Sequence, residues 1–561
     1  MEGNSDLKLD KYVGAFLGAA VGDALGWPNE QNSKNVSKVN PKDKEMFQKW
    51  IRRDGGRFWS HYEEINPGEY SDDTQLLIAT ARSLRYGSNW NKYFSKIELP
   101  AWVSYERGGG GATKRAAETW KKGKNPWSLD KGNMSEVKRY FNAGGNGVAM
   151  RILPHIFGNE DNPDEVMHQV VLNGIFTHGH PRALIGATLY ADALIYLANM
   201  KDTLGYGELV EYLLKRKDTW GKFPNIQNMN NWISNADKIL NAKYMDVWNS
   251  VVDEVINLLK IAKEGLDQGA LDMGNDVLEK LGCFDKKVNG AGTVTAVAAV
   301  YLASKYASSP RLAITEAAYL KNADTDTLAS MTGGLLGMLH GTDFISVSWI
   351  TVQDYEYIKK IIQTKENDAE KKYDHKLEVL DYTNASFNMK LKALKIGESI
   401  EALPFGRLTL KEKKLNKTNS KGSVVHTLKL VSEEGQSIFI KTYEKATEEQ
   451  QNQRHQTIEQ QVSKSAISEQ QVQPLKKAQE QTLYKPPLLD SNKVRSLANI
   501  LPEDMPADQC FFFISDIMAE LERGKTGKID DKALNYLIEK WIKYKISIRE
   551  IQRVINVIKN R

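Results

Sequence analysis

Asp324-Thr325-Asp326-Thr327-Leu328-Ala329-Ser330-Met331-Thr332-Gly333-Gly334-Leu335 is an acidic-hydroxyl cluster that runs straight into small and apolar residues. An earlier stretch has the same build, Ser71-Asp72-Asp73-Thr74 followed by Gln75-Leu76-Leu77-Ile78-Ala79. Asp, Ser and Thr accept hydrogen bonds from the free amides of a first helical turn and complement its dipole, so both stretches read as helix N-termini. Either cluster alone is an ordinary cap. Together they hold more carboxylates than capping needs, both end in Asp-Thr, and each leads into a helix able to pack closely. If the fold joins the two ends, four Asp and several hydroxyls converge. Crowded carboxylates repel unless something neutralises them. Oxygen-only donors select Mg²⁺, Mn²⁺ or Ca²⁺ over zinc, and this set is large enough for two such ions.

Outward from these clusters, the chain from Lys8 to about Lys365 is helical in pattern. Val13–Leu25, Thr74–Arg85, Pro181–Met200, Val251–Glu264, Gly292–Lys305 and Thr327–Leu339 carry apolar residues at helical spacing. Strict strand alternation is scarce here. Glycine clusters at Gly108–Gly111, Gly144–Gly147 and Gly333–Gly334 punctuate the helices. The expectation is an all-α catalytic domain over residues 8–395 whose loops carry the chemistry. Near Gly397 the character changes. Arg407–Lys411, Val424–Val431 and Ser437–Tyr443 are β-rich, with Glu433-Glu434-Gly435-Gln436 as a hairpin turn, giving a small β-rich module over 396–446. Residues 447–485 are polar and Gln-rich, a linker or an exposed helix. Residues 486–561 regain helical periodicity, as in Ala533, Leu534, Leu537, Ile538, Trp541 and Ile542, and form a small helical C-terminal module.

Composition narrows the classes. With 561 residues, two or three domains are expected, and 41% hydrophobic content supports a sizeable core. A net charge of +5 from 76 basic and 71 acidic residues argues against a dedicated nucleic-acid binder. The two cysteines, Cys283 and Cys510, exclude a disulfide scaffold and a cysteine-rich zinc site, and suit a reducing compartment. The N-terminus lacks a signal-peptide pattern, and no segment reaches the about 20 apolar residues of a membrane span. A cytoplasmic protein is expected, with delivery into a host cell as an effector the alternative.

The ordered motifs are Gly18-Ala19-Ala20-Val21-Gly22-Asp23-Ala24-Leu25-Gly26 with Glu30, then Gly68-Glu69-Tyr70-Ser71-Asp72-Asp73-Thr74, Gly145-Asn146-Gly147-Val148-Ala149-Met150-Arg151, Thr177-His178-Gly179-His180-Pro181, and Asn322-Ala323-Asp324-Thr325-Asp326-Thr327. Over roughly residues 10–345 this order resembles the ADP-ribosylglycohydrolase family, which includes the dinitrogenase-reductase-activating glycohydrolases and the ADP-ribosyl-acceptor hydrolases. The resemblance does not extend past about residue 395. It departs at Ala323, where many relatives have glycine, and at Trp27 and Asn29.

The resemblance implies an all-α fold holding two Mg²⁺ ions (Mn²⁺ in some members) between the clusters, with Ser71, Asp72, Asp73, Asp324, Asp326 and Thr327 as ligands. It places Glu30 on the loop after the first helix, guarding the site and assisting acid–base chemistry beside Asp72, Asp73 and Asp324. It puts Gly145, Asn146 and Gly147 at the diphosphate and ribose, and His178 beside the ribose. Successive glycines let backbone amides approach phosphate oxygens, and Gly109 and Gly110 are expected to line the substrate mouth. Arg151 reads as structural and His180 as an ordinary loop residue. A zinc site at His178 and His180 lacks a third soft ligand.

The expected activity is hydrolysis of the bond between ADP-ribose and a protein side chain, arginine by preference, reversing an ADP-ribosyltransferase. Serine-linked ADP-ribose is the alternative within the family, and a non-catalytic ADP-ribose reader the alternative outside it. A Ca²⁺-stabilised scaffold is disfavoured, since no Asp-x-Asp-x-Asp-Gly loop is present. The expected partners are an ADP-ribosylated protein and the ADP-ribose product, with the C-terminal modules as candidates for binding a further protein.

Overall fold

Glycine at every fourth position of one long helix sets the centre of the fold. Helix α1 (Glu2–Glu30) carries Gly14, Gly18, Gly22 and Gly26, which the helical repeat aligns on one face. A methyl group on any of them would meet backbone of the chain at 325–341: Gly341 O at 2.1 Å from Gly14, Gly333 O at 2.3 Å from Gly18, Ala329 O at 2.1 Å from Gly22 and Thr325 O at 2.2 Å from Gly26. The numbers fall in one partner as they rise in the other, so α1 lies antiparallel to the helix over Thr325–His340. On that helix Gly333 and Gly337 answer Gly18 and Gly14 at the same 2.1 Å. From Lys11 to Asn29 every residue of α1 is buried, as expected of a core helix.

The computed structural model describes residues 2–30, 43–55, 60–129, 132–269, 275–363, 377–418, 423–445, 493, 496–497, 500–502, 505–523 and 528–559. The chain forms two units. The first comprises Met1–Arg52, Glu64–Leu415 and His426–Thr442, and the second Arg53–Glu63, Asn416–Val425 and Tyr443–Arg561.

In the first unit α1 is followed by α2 (Asp72–Leu84), α3 (Gly111–Lys121), α4 (Pro163–Ile175), α5 (Pro181–Asn199), α6 (Tyr244–Asp267), α7 (Gly292–Lys305), α8 (Pro310–Ala318) and α9 (Thr325–His340), with shorter helices between them. The helices expected from periodicity lie within these bounds except at Arg85 and Met200, each one residue past the observed helix end. A second close crossing joins α5 to α7: a methyl on Gly186 would sit 2.3 Å from the Gly292 carbonyl. After α9 come α10 (Tyr355–Gln363) and α11 (Ala385–Ala393).

The expected β-rich region is present. Strand β3 (Ser399–Ala402) pairs antiparallel with β4 (Gly406–Thr418) from Ser399↔Thr409 to Ala402↔Gly406, and β4 is followed in the sheet by β5 (Ser423–Ser432) and β6 (Ser437–Lys445). The turn at 433–436 joins β5 and β6 through Gly435 at φ +106°. These strands build no core of their own. Leu408, Leu410, Leu428, Leu430, Ile438 and Ile440 share one apolar cluster with Leu76 and Ala79 of α2, Trp102 and Phe176. The sheet is therefore part of the packing behind α2, and the expected boundary at residue 395 falls between side chains of one cluster.

Two short strands were not legible as strands. They are β1 (Trp50–Asp54) and β2 (His61–Ile65), the latter pairing with β4 in the register His61↔Thr418 and Tyr62↔Lys417. Their buried positions are occupied by Arg52, His61 and Glu63 as well as Trp50 and Ile65, so burial alternates where hydrophobicity does not.

The second unit contains α12 (Ala507–Arg523), α13 (Asp531–Trp541) and α14 (Ile548–Lys559). Phe513, Ile517, Leu521, Leu537, Trp541, Ile551, Val554 and Ile558 are buried there. Asp516, fully buried, takes hydrogen bonds from Lys540 Nζ (2.7 Å) and Trp541 Nε1 (3.2 Å). The Gln-rich stretch 447–485 lies outside the described residues. No helix among the described residues is long and apolar enough to cross a membrane.

Candidate functional site

The antiparallel α1–α9 pair brings the C-terminal end of α1 to the N-terminal end of α9. Thr325 Oγ1 donates to the Gly26 carbonyl at 2.9 Å and locks that register. Glu30 is thus the last residue of α1, not a loop residue. Pro28, which reads as a helix exit, lies inside the helix. The proline removes one backbone donor, and Asn29 Nδ2 supplies side-chain bonds nearby, to Leu25 O (3.2 Å) and to Ala318 O of α8 (2.8 Å). Carboxylate oxygens of Glu30, Asp324 and Asp326 lie within 4.8 Å of one another.

The first acidic cluster is fastened to the same helix by Asp23. This carboxylate, fully buried in α1, accepts from Ser71 N (3.0 Å), Thr74 N (3.0 Å) and Thr74 Oγ1 (2.6 Å). Burial raises its pKa, and the bonds from Thr74 and Ser71 oppose that rise. Ser71 is the N-cap of α2, and its Oγ accepts from Asp73 N at 3.2 Å. Asp72 and Asp73 follow in the first turn. One Asp73 oxygen, Oδ2, is buried without a hydrogen-bond partner among the described residues. At the other helix Asp324 occupies the N-cap position but makes no capping bond.

The two ends feel each other electrostatically. Burial raises Asp73 well above the usual carboxylate range, and the charges of Asp23, Asp72 and Asp324 add to it, while a bond from Thr327 opposes it. Asp326 is raised by burial and then by Glu30, Asp324 and Asp73. Asp72 is raised by burial and then by Glu106, Asp23 and Glu30, with Lys114 opposing. Glu30 presents surface to solvent but is crowded by protein. That desolvation, with the charge of Asp324, brings its carboxyl to about 7, Arg52 acting in the opposite sense.

These residues fit a hard divalent cation. The donors are all oxygens, like charges raise one another, and a buried carboxylate oxygen is left over. Opposed ligand oxygens on Mg²⁺ stand about 4.2 Å apart, within the span of the Glu30–Asp324–Asp326 group.

The glycine loop at 144–147 is clamped to residues 290–292 by Asn146 N→Gly290 O (3.0 Å) and Gly292 N→Gly144 O (3.0 Å). Asn146 Nδ2 donates to Asp324 Oδ2 (2.9 Å) and Thr295 Oγ1 (3.1 Å), so its amide orients the second acidic cluster. His178 is buried against this loop: a methyl on Gly147 would meet its Cε1 at 3.1 Å, and Thr177 Oγ1 lies 2.8 Å from Nδ1. Burial, helped by Arg151 and Arg115, lowers His178 to about 3, so the ring is neutral. Arg151, fully buried, holds the loop from behind through Gly147 O (2.7 Å), Asn173 Oδ1 (2.8 Å) and Thr177 Oγ1 (2.8 Å). His180 is more than a loop residue. It is the N-cap of α5, its Nδ1 accepting from Arg182 N at 3.2 Å.

The loop before α3 closes over the other side. Gly108, at φ +100°, lies against Asp72: a methyl there would sit 3.2 Å from Asp72 Oδ1. Gly109 must be glycine because a methyl would strike the Trp102 ring at 2.5 Å, and its N–H donates to Glu106 Oε2 (3.0 Å). Gly110 faces open space. Behind this loop Arg107 pairs with Glu69 (2.8 Å) and lies 4.0 Å from the Phe439 ring centroid of β6. Tyr70, next to Ser71, donates to Asp354 Oδ2 (2.7 Å), which also accepts from Ser437 N of β6 (3.0 Å). The strand after the turn thus supports both loops that carry the first cluster. No sequence signal pointed to that. Asp23 stood within a quoted motif, but only its three donors give it a role.

Comparison with known proteins places the chain in a family. Residues 4–375 match the model of the ADP-ribosylglycohydrolase family. Over 187 residues the chain is 28% identical to the ADP-ribosyl-[dinitrogen reductase] glycohydrolase of Rhodospirillum rubrum, an alignment that covers 31% of this chain and 52% of that protein. The chain thus spans about half the length of the curated relative it matches. A solved structure described as an ADP-ribosylglycohydrolase-related protein complex aligns over 64% of this chain and 97% of its own, at 20% identity and a TM-score of 0.40. The family match extends over most of the chain and contains both acidic helix ends, the glycine loops and the buried histidine: this chain belongs to the ADP-ribosylglycohydrolase family.

Proposed function

We propose that this protein hydrolyses the glycosidic bond between C1″ of an ADP-ribosyl group and a protein side chain, with ADP-ribosylarginine the preferred substrate. The observation that carries the reading is the convergence of Glu30, Asp324 and Asp326 with the Asp72–Asp73 helix end in one acidic site, buried at Asp72, Asp73 and Asp326 and open to solvent at Glu30. Ser71, Asp72, Asp73, Asp324, Asp326 and Thr327 would hold two Mg²⁺ ions. When bound, these supply Lewis acidity and lower the pKa of a water molecule.

The chain's own residues supply the rest. Positive charge builds on the ribose as the bond to C1″ breaks, and the fixed carboxylates face that charge without reorganising. Glu30 stands at the solvent edge of the cluster and exchanges a proton near neutral pH, so it is assigned the proton transfer at its carboxylate oxygen. Neutral His178 and the amides of Gly145 and Gly147 bind ribose and diphosphate oxygens. Gly109 and Gly110 line the mouth. An acidic rim containing Glu30 favours a cationic acceptor side chain, which supports arginine over serine. The curated relative's name describes a glycohydrolase acting on an ADP-ribosylated protein, and the reading places this chain opposite an ADP-ribosyltransferase in the same way.

The test is incubation with peptides bearing Arg-, Ser- or Glu-linked ADP-ribose, with and without Mg²⁺. Release of ADP-ribose from the arginine peptide, dependent on Mg²⁺, is expected. Preferential release from the serine peptide would move the substrate assignment. Retention of modified peptide without turnover would make the protein a reader and end the hydrolase reading.

A further inference from the structure

Residues 540–561 carry seven Lys and Arg against a single acid, Glu550. That balance of +6 exceeds the net +5 of the whole chain, so the rest of the chain is close to neutral and its positive charge is gathered in one place. The stretch lies in the second unit, where it forms the end of α13, a 3-10 turn (Ile542–Tyr544) and α14. Lys540 is buried against Asp516 (2.7 Å). Lys543, Lys545, Arg549 and Arg553 are exposed. Glu550 is turned to the start of α14. It accepts from Ser547 N (3.1 Å) and from Ser547 Oγ, and Ser547 Oγ accepts from Arg549 N (3.2 Å), a reciprocal helix cap.

Two large apolar side chains stand among these cations. Ile542 is 65% exposed and Ile548 47%. One exposed aliphatic residue is ordinary on any surface. Here the turn that carries both is anchored. Trp541 and Ile546 are buried in the helical module, Lys545 N donates to Ile542 O (2.9 Å), and Lys545 at φ +59° reverses the chain between them. Ile542 and Ile548 therefore cannot turn inward without expelling Trp541 or Ile546. The combination selects among partners. A nucleic acid would use the cations, but its phosphate backbone offers nothing to two aliphatic side chains. An anionic bilayer offers both: charged headgroups for Lys and Arg and, just beneath them, acyl chains for isoleucine. No helix among the described residues can span a bilayer, so the contact would be made at its surface.

We propose that the turn at 541–549 and the first turns of α14 dock the protein on an anionic lipid surface. Ile542 and Ile548 enter the boundary between headgroups and acyl chains, while Lys543, Lys545, Arg549 and Arg553 face the anionic headgroups. This surface belongs to the second unit and owes nothing to the hydrolase reading.

The test is co-sedimentation of the full chain with phosphatidylcholine vesicles and with vesicles enriched in phosphatidylserine. Binding to the anionic vesicles alone is expected, weakening as salt is raised. Ile542→Ser combined with Ile548→Ser should lower the partition coefficient about tenfold or more. Lys543→Gln combined with Lys545→Gln should lower it about fivefold per charge. All four positions are exposed, so native unfolding midpoints are expected of both variants. Three results overturn the proposal: no preference for anionic over neutral vesicles, binding that the isoleucine pair leaves unchanged, or tighter binding of a DNA duplex than of the anionic vesicles. In the native protein, amide hydrogen exchange over residues 541–553 should slow with anionic vesicles and not with neutral ones, a readout that needs no variant. Vesicle binding with exchange there unmoved would place the contact elsewhere and overturn the proposal as well.

Discussion

The helix end at Asp72–Asp73 and the helix end at Asp324–Asp326 carry similar sequences and are held in place by different forces. The first is fastened by polar bonds. Asp23 takes three donors from Ser71 and Thr74, and Ser71 caps Asp73. The second is placed by steric fit. Gly22 and Gly26 let α1 touch the backbone of α9, while the Asp324 carboxyl caps nothing and is oriented by Asn146. A helix whose amides are satisfied by neighbours releases its own acidic residues for other work. The first end achieves that release by borrowing a carboxylate from α1; at the second, Asp326 Oδ1 accepts from the Thr327 amide (2.9 Å) and Asp324 makes no capping bond.

The contrast can be broken most sharply at Asp324. Asp324→Ala is expected to lower release of ADP-ribose by about a thousandfold or more, while the thermal unfolding midpoint stays near native, because no capping bond is lost. A variant that hydrolyses normally would remove Asp324 from the chemistry. At the other end the split reverses. Asp23→Ala strands three buried donors and is expected to cost about 3 kcal/mol of stability, with activity failing as the Asp72–Asp73 turn loses its anchor. An unfolding midpoint at the native value would show that Ser71 and Thr74 find other partners.

Divalent cation should tie the two ends together. Chelation is expected to switch activity off and Mg²⁺ to restore it, with stabilisation approaching about 2.7 kcal/mol at a hundredfold excess over Kd. Asp324→Ala should blunt that stabilisation; activity unchanged after stripping would refute the metal centre. The smallest effect tests the steric arm alone. Gly22→Ala puts a methyl 2.1 Å from the Ala329 carbonyl, and separating the helices to accept it is expected to cost about 1–3 kcal/mol, measured by denaturant titration. Native stability would mean that the glycine stripe is not what sets the helix spacing.

Much of this architecture could be read before any coordinates. The helices followed from apolar spacing, and the turn at 433–436 from its glycine. Both acidic helix starts followed from residue type, because caps and dipoles are local physics. The strands at Trp50–Asp54 and His61–Ile65 escaped, since their inward positions carry Arg52, His61 and Glu63. The resemblance put Glu30 on a loop, whereas α1 runs through Pro28 to include it, with Asn29 making a bond that only a packed α8 allows. His180 looked idle because a histidine cap has no sequence signature as clear as Ser or Asp.

What the sequence by itself determined was the inventory: helix starts, the glycine period of α1, oxygen donors without soft ligands, and the motif order. Those depend on residues a few positions apart. Tertiary structure alone decided that the end of α1 faces the start of α9, that Asp23 is scaffold, and that the β5–β6 region supports the loops of α2. Each of these joins residues far apart in the chain, and only packing determines which of them meet.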